Sequence, residues 1–452
     1  MTQFEDRAES VEGKRLLVLG ASPMRAAAFR TWARMGLRVT LIDGHSQGRY
    51  EDLVDEFLCL DVRDASADLE ELIASAGVVD GVVTLTDDSQ LVAARFAERT
   101  GLKGSGFEAA QAGRSKDLQR AALAAAGMRV PRWAKVSGPD DLETFFNPDE
   151  VSGAGDAVLK PTDAAGGAAA LRVPDLMSAL RHWPVVRALS PSGFGVIESF
   201  LPGREICVDA VVQAGQVVFS SAVHCEHMTS VGFLCTSSSY ETAMCVIAGR
   251  PSQCADAIAA FDMTAAVARA LKMQDGILHA EFKIDNGTWT TVEAGMRPGG
   301  ALVPELTEIV SGVNLYAAQA RLALGTTSVL LETATATAPF AQARYLVGEG
   351  KVRQFVPPAS VTSNLPDVKV ACQQLFGGQF ARVPLSEAGR AGYAYGWGDK
   401  QTLLDIQLRQ AVDRLGDGMG LTVRGNDPLD PLASPHGPGP WWLAVKHAVG
   451  SS

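Results

Sequence analysis

The sequence lacks the marks of several large classes of protein. Basic residues are not in excess, since 40 Lys and Arg against 51 Asp and Glu give a formal net charge of −11. An acidic chain is a poor candidate for binding nucleic acid, because such binding depends on neutralising phosphates. No apolar run of about 18 residues occurs, so we expect no segment that spans a membrane.

Paired cysteine motifs and a signal peptide are also missing. The seven cysteines are scattered, and none follows CxxC spacing. Residues 1–13 are rich in acidic side chains and carry no apolar core, which argues against a signal peptide. We therefore expect reduced thiols in a cytoplasmic protein.

The composition is that of an ordinary globular protein. Hydrophobic residues make up 47% and charged residues 20% of the 452 residues, which excludes a disordered chain. At roughly 150 residues per domain, the length predicts about three domains.

The first strand–helix–strand unit lacks a dinucleotide fingerprint. Residues 16–19 predict a buried parallel strand, residues 26–35 a helix and residues 37–43 a second strand. The turn after the first strand reads Gly20-Ala-Ser-Pro, without the further glycines of GxGxxG. A nicotinamide-dependent oxidoreductase is therefore a weak interpretation.

Strand and helix patterns continue to alternate as far as residue 103. Residues 78–85 predict another strand, and residues 88–99 predict the helix that follows it. This alternation predicts a parallel α/β domain over residues 14–103.

Antiparallel hairpins are predicted in the middle of the chain. Apolar runs flank Gly215, and a second pair of runs flanks Asn286-Gly287, a typical hairpin turn. The serine-rich segment 232–240 is predicted to be a loop that substrate orders.

The pattern changes in the last part of the chain. Residues 333–338 alternate Thr and Ala and predict a linker. Short strands and a helix over residues 401–415 then predict a β-rich domain, and the proline-rich residues 428–440 predict an extended segment.

Two lysines are candidates for binding a polyphosphate. Lys116 and Lys160 lie on separate elements, and Lys160 ends an apolar strand just before a loop that contains Gly166 and Gly167. A polyphosphate requires fixed positive charge, and a loop without bulky side chains lets backbone amides approach it. Most single lysines are solvated surface residues, but the position of Lys160 favours a role in binding.

Two acids lie on either side of a Pro202-Gly203 turn. Glu198 belongs to an apolar strand, and Glu205 follows the turn. Acids at such a strand end can hold ribose hydroxyls or an adenine amino group. A surface hairpin with ordinary charges remains the alternative for this segment.

The second predicted hairpin carries the sharpest signal. With its turn at Asn286-Gly287, Glu281 and Glu293 are predicted to face each other across the strands. Opposed carboxylates repel unless a cation lies between them, which favours Mg²⁺, a hard ion bound by carboxylates and phosphates. Arg297 follows and could stabilise developing negative charge. An exposed acid pair without metal is the alternative.

In this order, these residues resemble the ATP-grasp superfamily of carboxylate–amine ligases over most of the chain. Residues 20–43 are similar to the family's N-terminal α/β domain, and residues 86–104 look like its last helix and exit loop. The segment Glu293-Ala-Gly-Met-Arg-Pro-Gly-Gly resembles the L-amino-acid ligase and peptide ligase branch more than the carboxylase branch.

The resemblance implies a fold class of α/β and α+β. Residues 14–103 would form an N-terminal parallel α/β domain, the pre-ATP-grasp domain. Residues 104–326 would form the ATP-grasp domain with two α+β subdomains, and residues 327–452 a β-rich C-terminal domain.

Roles at the nucleotide are also implied by the resemblance. Lys116 and Lys160 would contact the α- and β-phosphates of ATP, and Gly166 and Gly167 would belong to a loop over the phosphates. The cofactors implied are ATP and Mg²⁺, for which Mn²⁺ could substitute. The adenine would lie along the backbone of Glu198, Ser199, Phe200 and Leu201, and Glu205 would hold the ribose.

The metal and the substrate have their own candidates. The resemblance implies that Glu281 and Glu293 ligate Mg²⁺ and that Arg297 binds substrate and stabilises a tetrahedral intermediate. Further substrate contacts are expected from His224, Glu226 and His227, near the end of the strand predicted over residues 216–223, and from the small residues Gly299 and Gly300. Ordinary loop residues are the alternative for the two histidines.

Two departures from the family pattern stand out. The family usually carries Glu-x-Asn at the second metal position, whereas Glu293 is followed by Ala294 and Gly295. No lysine occurs between Lys160 and Lys272, so a loop lysine for the γ-phosphate is missing.

The resemblance implies an ADP-forming ligase. ATP would phosphorylate a carboxylate, and an amine would attack the acyl phosphate to give an amide or peptide bond. The expected partners are small molecules, namely amino acids or peptides, with no nucleic acid and no membrane. The resemblance to the family also implies a homodimer. Two alternatives stay open: a ligase or carboxylase that uses bicarbonate or formate, and a non-catalytic protein that binds nucleotide.

Overall fold

The computed structural model has a mixed architecture of parallel and antiparallel sheets with helices packed around them. It describes residues 10–21, 24–44, 50–64, 66–147, 155–228, 234–300, 302–326, 335–381 and 390–423. The predicted fold class, α/β and α+β, is confirmed. Within these residues, no helix combines the length and the apolar character needed to cross a membrane.

The chain begins with a four-stranded parallel sheet. Its elements are β1 (Arg15–Leu19), α1 (Ala26–Arg34), β2 (Arg38–Ile42), β3 (Glu56–Leu58), α2 (Leu69–Ala76), β4 (Gly81–Thr84) and α3 (Gln90–Thr100). The strand order is β3-β2-β1-β4, and residues 16–19 of β1 are fully buried, as a strand covered on both faces requires. The loops that follow β1 and β4 lie at the same edge of this sheet.

A small antiparallel sheet follows, in the order β5-β8-β6-β7. It places Lys160, near the end of β6, beside Val196 of β8. The elements of this part are α4 (Phe107–Arg114), α5 (Lys116–Ala125), β5 (Trp133–Val136), α6 (Pro139–Phe146), β6 (Ala157–Pro161), β7 (Leu171–Val173), α7 (Leu176–Leu189) and β8 (Gly195–Ser199).

The largest sheet has eight strands and begins with long antiparallel neighbours. They and their helices are β9 (Arg204–Gln213), β10 (Gln216–Met228), β11 (Leu234–Ile247), α8 (Ala255–Ala270), β12 (Gly276–Asp285), β13 (Thr288–Gly295), α9 (Val303–Ser311) and α10 (Leu315–Ala323). Both predicted hairpins are confirmed. Asn286 and Gly287 have φ values of 47° and 77°, the left-handed pair that a tight type I′ turn requires.

The same sheet continues into the last part of the chain. The remaining elements are β14 (Phe340–Leu346), β15 (Gly348–Lys351), α11 (Pro358–Thr362), β16 (Val368–Gln373), β17 (Phe380–Ala381), β18 (Gly392–Gly398), α12 (Gln401–Met419) and β19 (Thr422–Val423). The order β13-β12-β9-β10-β11-β14-β18-β16 joins strands from both sides of residue 326. The three predicted domain ranges stay predictions.

One predicted loop is a strand instead. The serine-rich segment 232–240 was expected to be a loop, but from residue 234 onward it belongs to β11. Its serines pair with β10 on one side and β14 on the other, and this pairing outweighs the weak strand preference of serine. Part of the predicted linker, and all of the proline-rich residues 428–440, lie outside the described residues.

Candidate active site

A cavity of about 530 Å³ lies where the parallel sheet, the small sheet and the large sheet meet. Most of the residues predicted for a nucleotide or substrate site line it. These are Lys116, Lys160, Gly166, Gly167, Glu198, Ser199, Phe200, Leu201, Glu205, His227, Glu281, Glu293, Arg297 and Gly300. His224, Glu226 and Gly299 do not line it.

Glu281 and Glu293 lie directly opposite each other on the floor of this cavity. They are register partners on β12 and β13, so their side chains leave the same face of the hairpin. Each has a cationic neighbour. The Nζ of Lys116 lies 3.0 Å from Glu293 Oε1, and the Nε2 of His279 lies 3.4 Å from Glu281 Oε1. The predicted repulsion is thus relieved by protein cations.

These two carboxylates fit Mg²⁺. The side chains of Glu281 and Glu293 remain 29% and 34% exposed toward the cavity. In each case the cationic neighbour contacts Oε1. Carboxylate oxygens are the ligands that Mg²⁺ prefers, and it keeps several sites for water and phosphate. At Gly295, where the family has Asn, an added Cβ would meet only ordinary contacts, the nearest at 3.5 Å from Asp87.

A buried ion-pair trio lies at the small-sheet end of the cavity. Glu198 contacts Lys160 through one oxygen and Arg120 through the other, each at 2.8 Å. Burial alone would raise the pKa of Glu198, but Arg120 and Lys160 outweigh it and hold that pKa at about 2. Burial lowers the pKa of Lys160, although Glu198 opposes the effect. Arg120 has no sequence motif around it, so local patterns did not predict its part in the site.

Replacing Glu198 with glutamine should destabilise the fold. The substitution leaves Lys160 and Arg120 buried without their counter-charge, which typically costs about 3–5 kcal/mol. Chemical denaturation at neutral pH would measure the loss in the free energy of unfolding. Because the folded pKa of Glu198 falls from 4.5 to about 2, its contribution is complete above the unfolded value and disappears as pH falls toward 2. The deficit of the variant should therefore shrink in acid.

The matched control is Glu143→Gln. Glu143 is an exposed acid on α6, so the same change of charge should leave the free energy of unfolding nearly unchanged. Equal stability of Glu198→Gln and this control would show that the trio contributes nothing.

Glu205 is held in a second ionic cluster. Its carboxylate lies 3.1 Å from the Nζ of Lys283 and 3.3 Å from the Nε2 of His227. Lys283 lines the cavity two residues beyond Glu281, so it supplies a lysine that the sequence analysis did not assign. The alternation of β12 was the available signal, since residues 281 and 283 share one face of a strand.

Arg297 is fixed by an acid from the parallel sheet. Its Nε and Nη2 donate to the two oxygens of Asp87 at 2.7 and 2.6 Å. Burial would raise the pKa of Asp87, but Arg297 outweighs it and the pKa is lowered. Asp87 lies just after β4, at the carboxyl edge of a parallel sheet, where ligand sites of α/β folds commonly occur. That position was the signal that could have found it.

The turn after Arg297 is tied to the metal candidates. The backbone N–H of Gly299 donates to Asp209 Oδ2 at 2.7 Å, and Arg25 donates to the Gly299 carbonyl at 2.8 Å. Asp209 also contacts His279 at 2.6 Å, and His279 contacts Glu281. A Cβ at residue 299 would lie 2.7 Å from Asp209, so only glycine fits. Gly299 therefore shapes the site without lining it.

His279 is held as a cation. Burial would lower its pKa, but Asp209 and Glu281 raise it to about 10. The same contact keeps Glu281 ionised, because its pKa is about 2 even though burial alone would raise it. The contacts of its two ring nitrogens with Asp209 and Glu281 orient His279 beside the metal candidates.

The small-residue loop between β6 and β7 forms one wall of the cavity. Gly166 and Gly167 have φ values of 62° and 67°, which favour glycine, and nothing lies within 4 Å of a Cβ built at Gly166. Lys116 donates to the Ala164 carbonyl at 2.8 Å and so ties the loop to α5.

His224 and Glu226 do not line the cavity, and their predicted contact with substrate stays a prediction. Successive side chains of a strand leave opposite faces, and on β10 the cavity-lining residues are Cys225 and His227. Glu226 instead lies 3.5 Å from Arg344. Burial lowers the pKa of His224. The sequence placed these residues near the end of a strand predicted to stop at residue 223, so it did not indicate which face each side chain would take.

Sequence comparison identifies no relatives, whereas structure comparison does. No protein-family model and no curated protein sequence matches the chain. The L-amino acid ligase of Bacillus licheniformis superposes with a TM-score of 0.72 at 18% identity, covering 91% of this chain and 99% of that chain. The N5-carboxyaminoimidazole synthetase of Staphylococcus aureus, complexed with ADP, superposes at 0.67 and 13% identity, covering 89% and 98%.

A carboxylase component shows the same similarity. The biotin carboxylase domain of the Hydrogenobacter thermophilus 2-oxoglutarate carboxylase, in complex with MgADP and bicarbonate, superposes at 0.63 and 13% identity, with 91% of each chain covered. The chain therefore shares the fold of these three proteins. At these identities the likeness shows the fold alone.

Proposed function

We propose that the protein is an ADP-forming carboxylate–amine ligase that joins amino acids or short peptides. The observation that carries the proposal is the convergence in one cavity of two opposed carboxylates, Glu281 and Glu293, with the cations Lys116, Lys160 and Arg297. This set matches the needs of a nucleoside triphosphate with a divalent cation. The ATP-grasp fold supports the same assignment.

The nucleotide would occupy the small-sheet end of the cavity. There the backbone of Ser199, Phe200 and Leu201 lines the cavity and would contact the adenine. Glu205 also lines the cavity, and its carboxylate would accept hydrogen bonds from the ribose hydroxyls. Lys160 is already desolvated and fixed by Glu198, so holding a phosphate there costs little further ordering. We propose that Lys283 assists at the phosphates in place of the missing loop lysine.

Lys116 would change partners when nucleotide binds. Its ammonium now neutralises Glu293 at 3.0 Å. Glu281 and Glu293 would hold Mg²⁺, whose positive charge would repel the ammonium of Lys116. Lys116 would then be available to a phosphate oxygen. Bound Mg²⁺ would neutralise the charge that develops on the transferred phosphoryl group. Mn²⁺ is proposed as a substitute.

The chemistry would follow in two steps. A substrate carboxylate oxygen attacks the γ-phosphorus, and ADP leaves. An amine nitrogen then attacks the carbonyl carbon of the acyl phosphate and forms a tetrahedral oxyanion. Phosphate leaves as this oxyanion collapses, and the nitrogen gives up a proton, which the departing phosphate can accept. Arg297, held by Asp87, would donate to that oxyanion, so the protein supplies position and charge rather than a nucleophile.

The direct test is a product assay. Purified protein is incubated with ATP, Mg²⁺ and pairs drawn from a panel of amino acids and short peptides, and nucleotide and amide products are quantified. We expect ADP, phosphate and an amide in equal amounts for at least one pair. AMP with pyrophosphate would overturn the ADP-forming mechanism, and no turnover with tight nucleotide binding would favour a non-catalytic role.

A parallel reaction with bicarbonate distinguishes the alternative function, a carboxylating ligase, from the amino acid ligase. The shared fold with a synthetase and a carboxylase keeps a carboxylating ligase as the alternative. ATP hydrolysis that depends on bicarbonate or formate and ignores amino acids would replace our assignment. The homodimer and the cytoplasmic location implied by the sequence stay predictions.

A further inference from the structure

Three thiols line the candidate nucleotide cavity. Cys207, Cys225 and Cys235 lie on the adjacent strands β9, β10 and β11, and all three face the cavity. The Sγ atoms of Cys207 and Cys225 are only 3.1 Å apart. Neither is in a disulfide. Neither thiol has a part in the proposed ligase chemistry, so their clustering calls for another explanation.

The thiol pair adjoins one of the magnesium candidates. The ligand atoms of Cys207, His279 and Glu281 all lie within 4.8 Å of one another. The Nδ1 of His279 lies 2.6 Å from Asp209 Oδ1, so that nitrogen already has a partner. Glu281 lines the cavity with its carboxylate. An ion between Cys207 and Glu281 is therefore within reach of both, and the Cys225 sulfur lies 3.1 Å from the Cys207 sulfur.

These donor atoms differ from the magnesium ligands in element, because two of the three are sulfur. Thiolates are soft ligands that select Zn²⁺ and similar ions, whereas Mg²⁺ takes oxygen ligands. A tetrahedral ion with sulfur bonds of about 2.3 Å would hold two sulfurs somewhat farther apart than the present pair, so the two side chains would have to rotate apart on binding. Water or a substrate oxygen can complete the fourth position.

We propose that Cys207, Cys225 and Glu281 form an inhibitory site for a thiophilic divalent cation, of which Zn²⁺ and Cd²⁺ are the probes. On binding, two thiols release two protons and the ion gains two thiolate bonds. Because the site uses Glu281, its occupant competes with Mg²⁺ for that carboxylate. The binding is independent of the proposed function, and only the inhibition rests on it.

Binding is tested with Cd²⁺ in the presence of a non-chelating phosphine reductant. We expect one equivalent to bind, with the ultraviolet absorption of a cadmium–thiolate bond. Cys207→Ser and Cys225→Ser should each weaken binding at least about tenfold. The matched control is Cys254→Ser, a thiol beside Met244 that does not line the cavity, and it should bind as the unaltered protein does. Equal binding by all three variants would overturn the site.

A second measurement needs no variant. Zn²⁺ should protect Cys207 and Cys225 of the unaltered protein from alkylation, as mapped by mass spectrometry, while exposed Cys59 reacts at the same rate. Alkylation of the pair unchanged by Zn²⁺ would refute the site even if the serine variants fail to fold. If the ligase assay succeeds, half-inhibition of Cys225→Ser should need at least about tenfold more Zn²⁺ than the unaltered protein. Binding without inhibition would overturn the competition with Mg²⁺.

Discussion

Glu281→Gln should reduce ATP-dependent product formation by at least about a hundredfold while leaving the fold intact. Glutamine keeps the shape of the side chain but loses the charge that a divalent cation needs. The side chain is 29% exposed toward the cavity, so the change creates no buried void. His279 keeps its stronger contact with Asp209 at 2.6 Å, which should preserve the strand and the turn beyond it.

The comparison for this variant is Asp285→Asn. Asp285 is an exposed acid at the end of the same strand, so the control removes an equal charge from β12 without touching the cavity. Product formation and thermal unfolding would be measured for both. Full activity in Glu281→Gln would remove this residue from the metal assignment. Loss of both activity and folded structure would show that its role is structural.

Arg297→Lys should lower kcat by about 10²–10³, the cost of losing one donor to an oxyanion, which corresponds to about 2.7–4 kcal/mol. Lysine keeps the charge but cannot make the two parallel hydrogen bonds to Asp87 at 2.7 and 2.6 Å. The ammonium of the lysine variant would therefore occupy several positions, whereas the guanidinium of Arg297 is held in one. Because Arg297 would act after nucleotide binding, the KM for ATP should change little.

Asp87→Asn tests the same pair from the other side. It leaves the guanidinium in place but removes its charged partner, so kcat should fall by less than in Arg297→Lys. Arg269→Lys, at an exposed position on α8, controls for the arginine-to-lysine change and should be neutral. Steady-state kinetics separate the two parameters. A raised KM for ATP with unchanged kcat would assign Arg297 to nucleotide binding instead.

Local patterns were enough for the hairpin that carries the metal candidates. Asn286-Gly287 is a turn signal that acts over a few residues, and once the turn is placed, strand geometry makes Glu281 and Glu293 register partners. Lys160 was found for a similar reason, because it ends an apolar strand next to a loop of small residues. In both cases the physical cause lies within a short stretch of chain.

The sequence did not predict strand β11 over residues 234–240, because the pairing that forms it involves distant parts of the chain. Residues 234–240 became part of β11 because two neighbouring strands, one of them β14 from beyond the predicted domain bound, satisfy its backbone. The faces of β10 followed from that pairing, and His224 and Glu226 do not line the cavity. No periodicity within this serine-rich segment indicated such partners.

By itself, the sequence determined the mixed fold class, the opposed carboxylates and the two candidate phosphate lysines, because each depends on hydrophobic patterns or turns within neighbouring residues. Only the tertiary structure decided which charges meet. Arg297 and Asp87 are separated by 210 positions in the chain, and Glu198 receives both Lys160 and Arg120. Such pairs form because buried charge must be neutralised by whatever the packed fold brings near it, and that choice leaves no local signature.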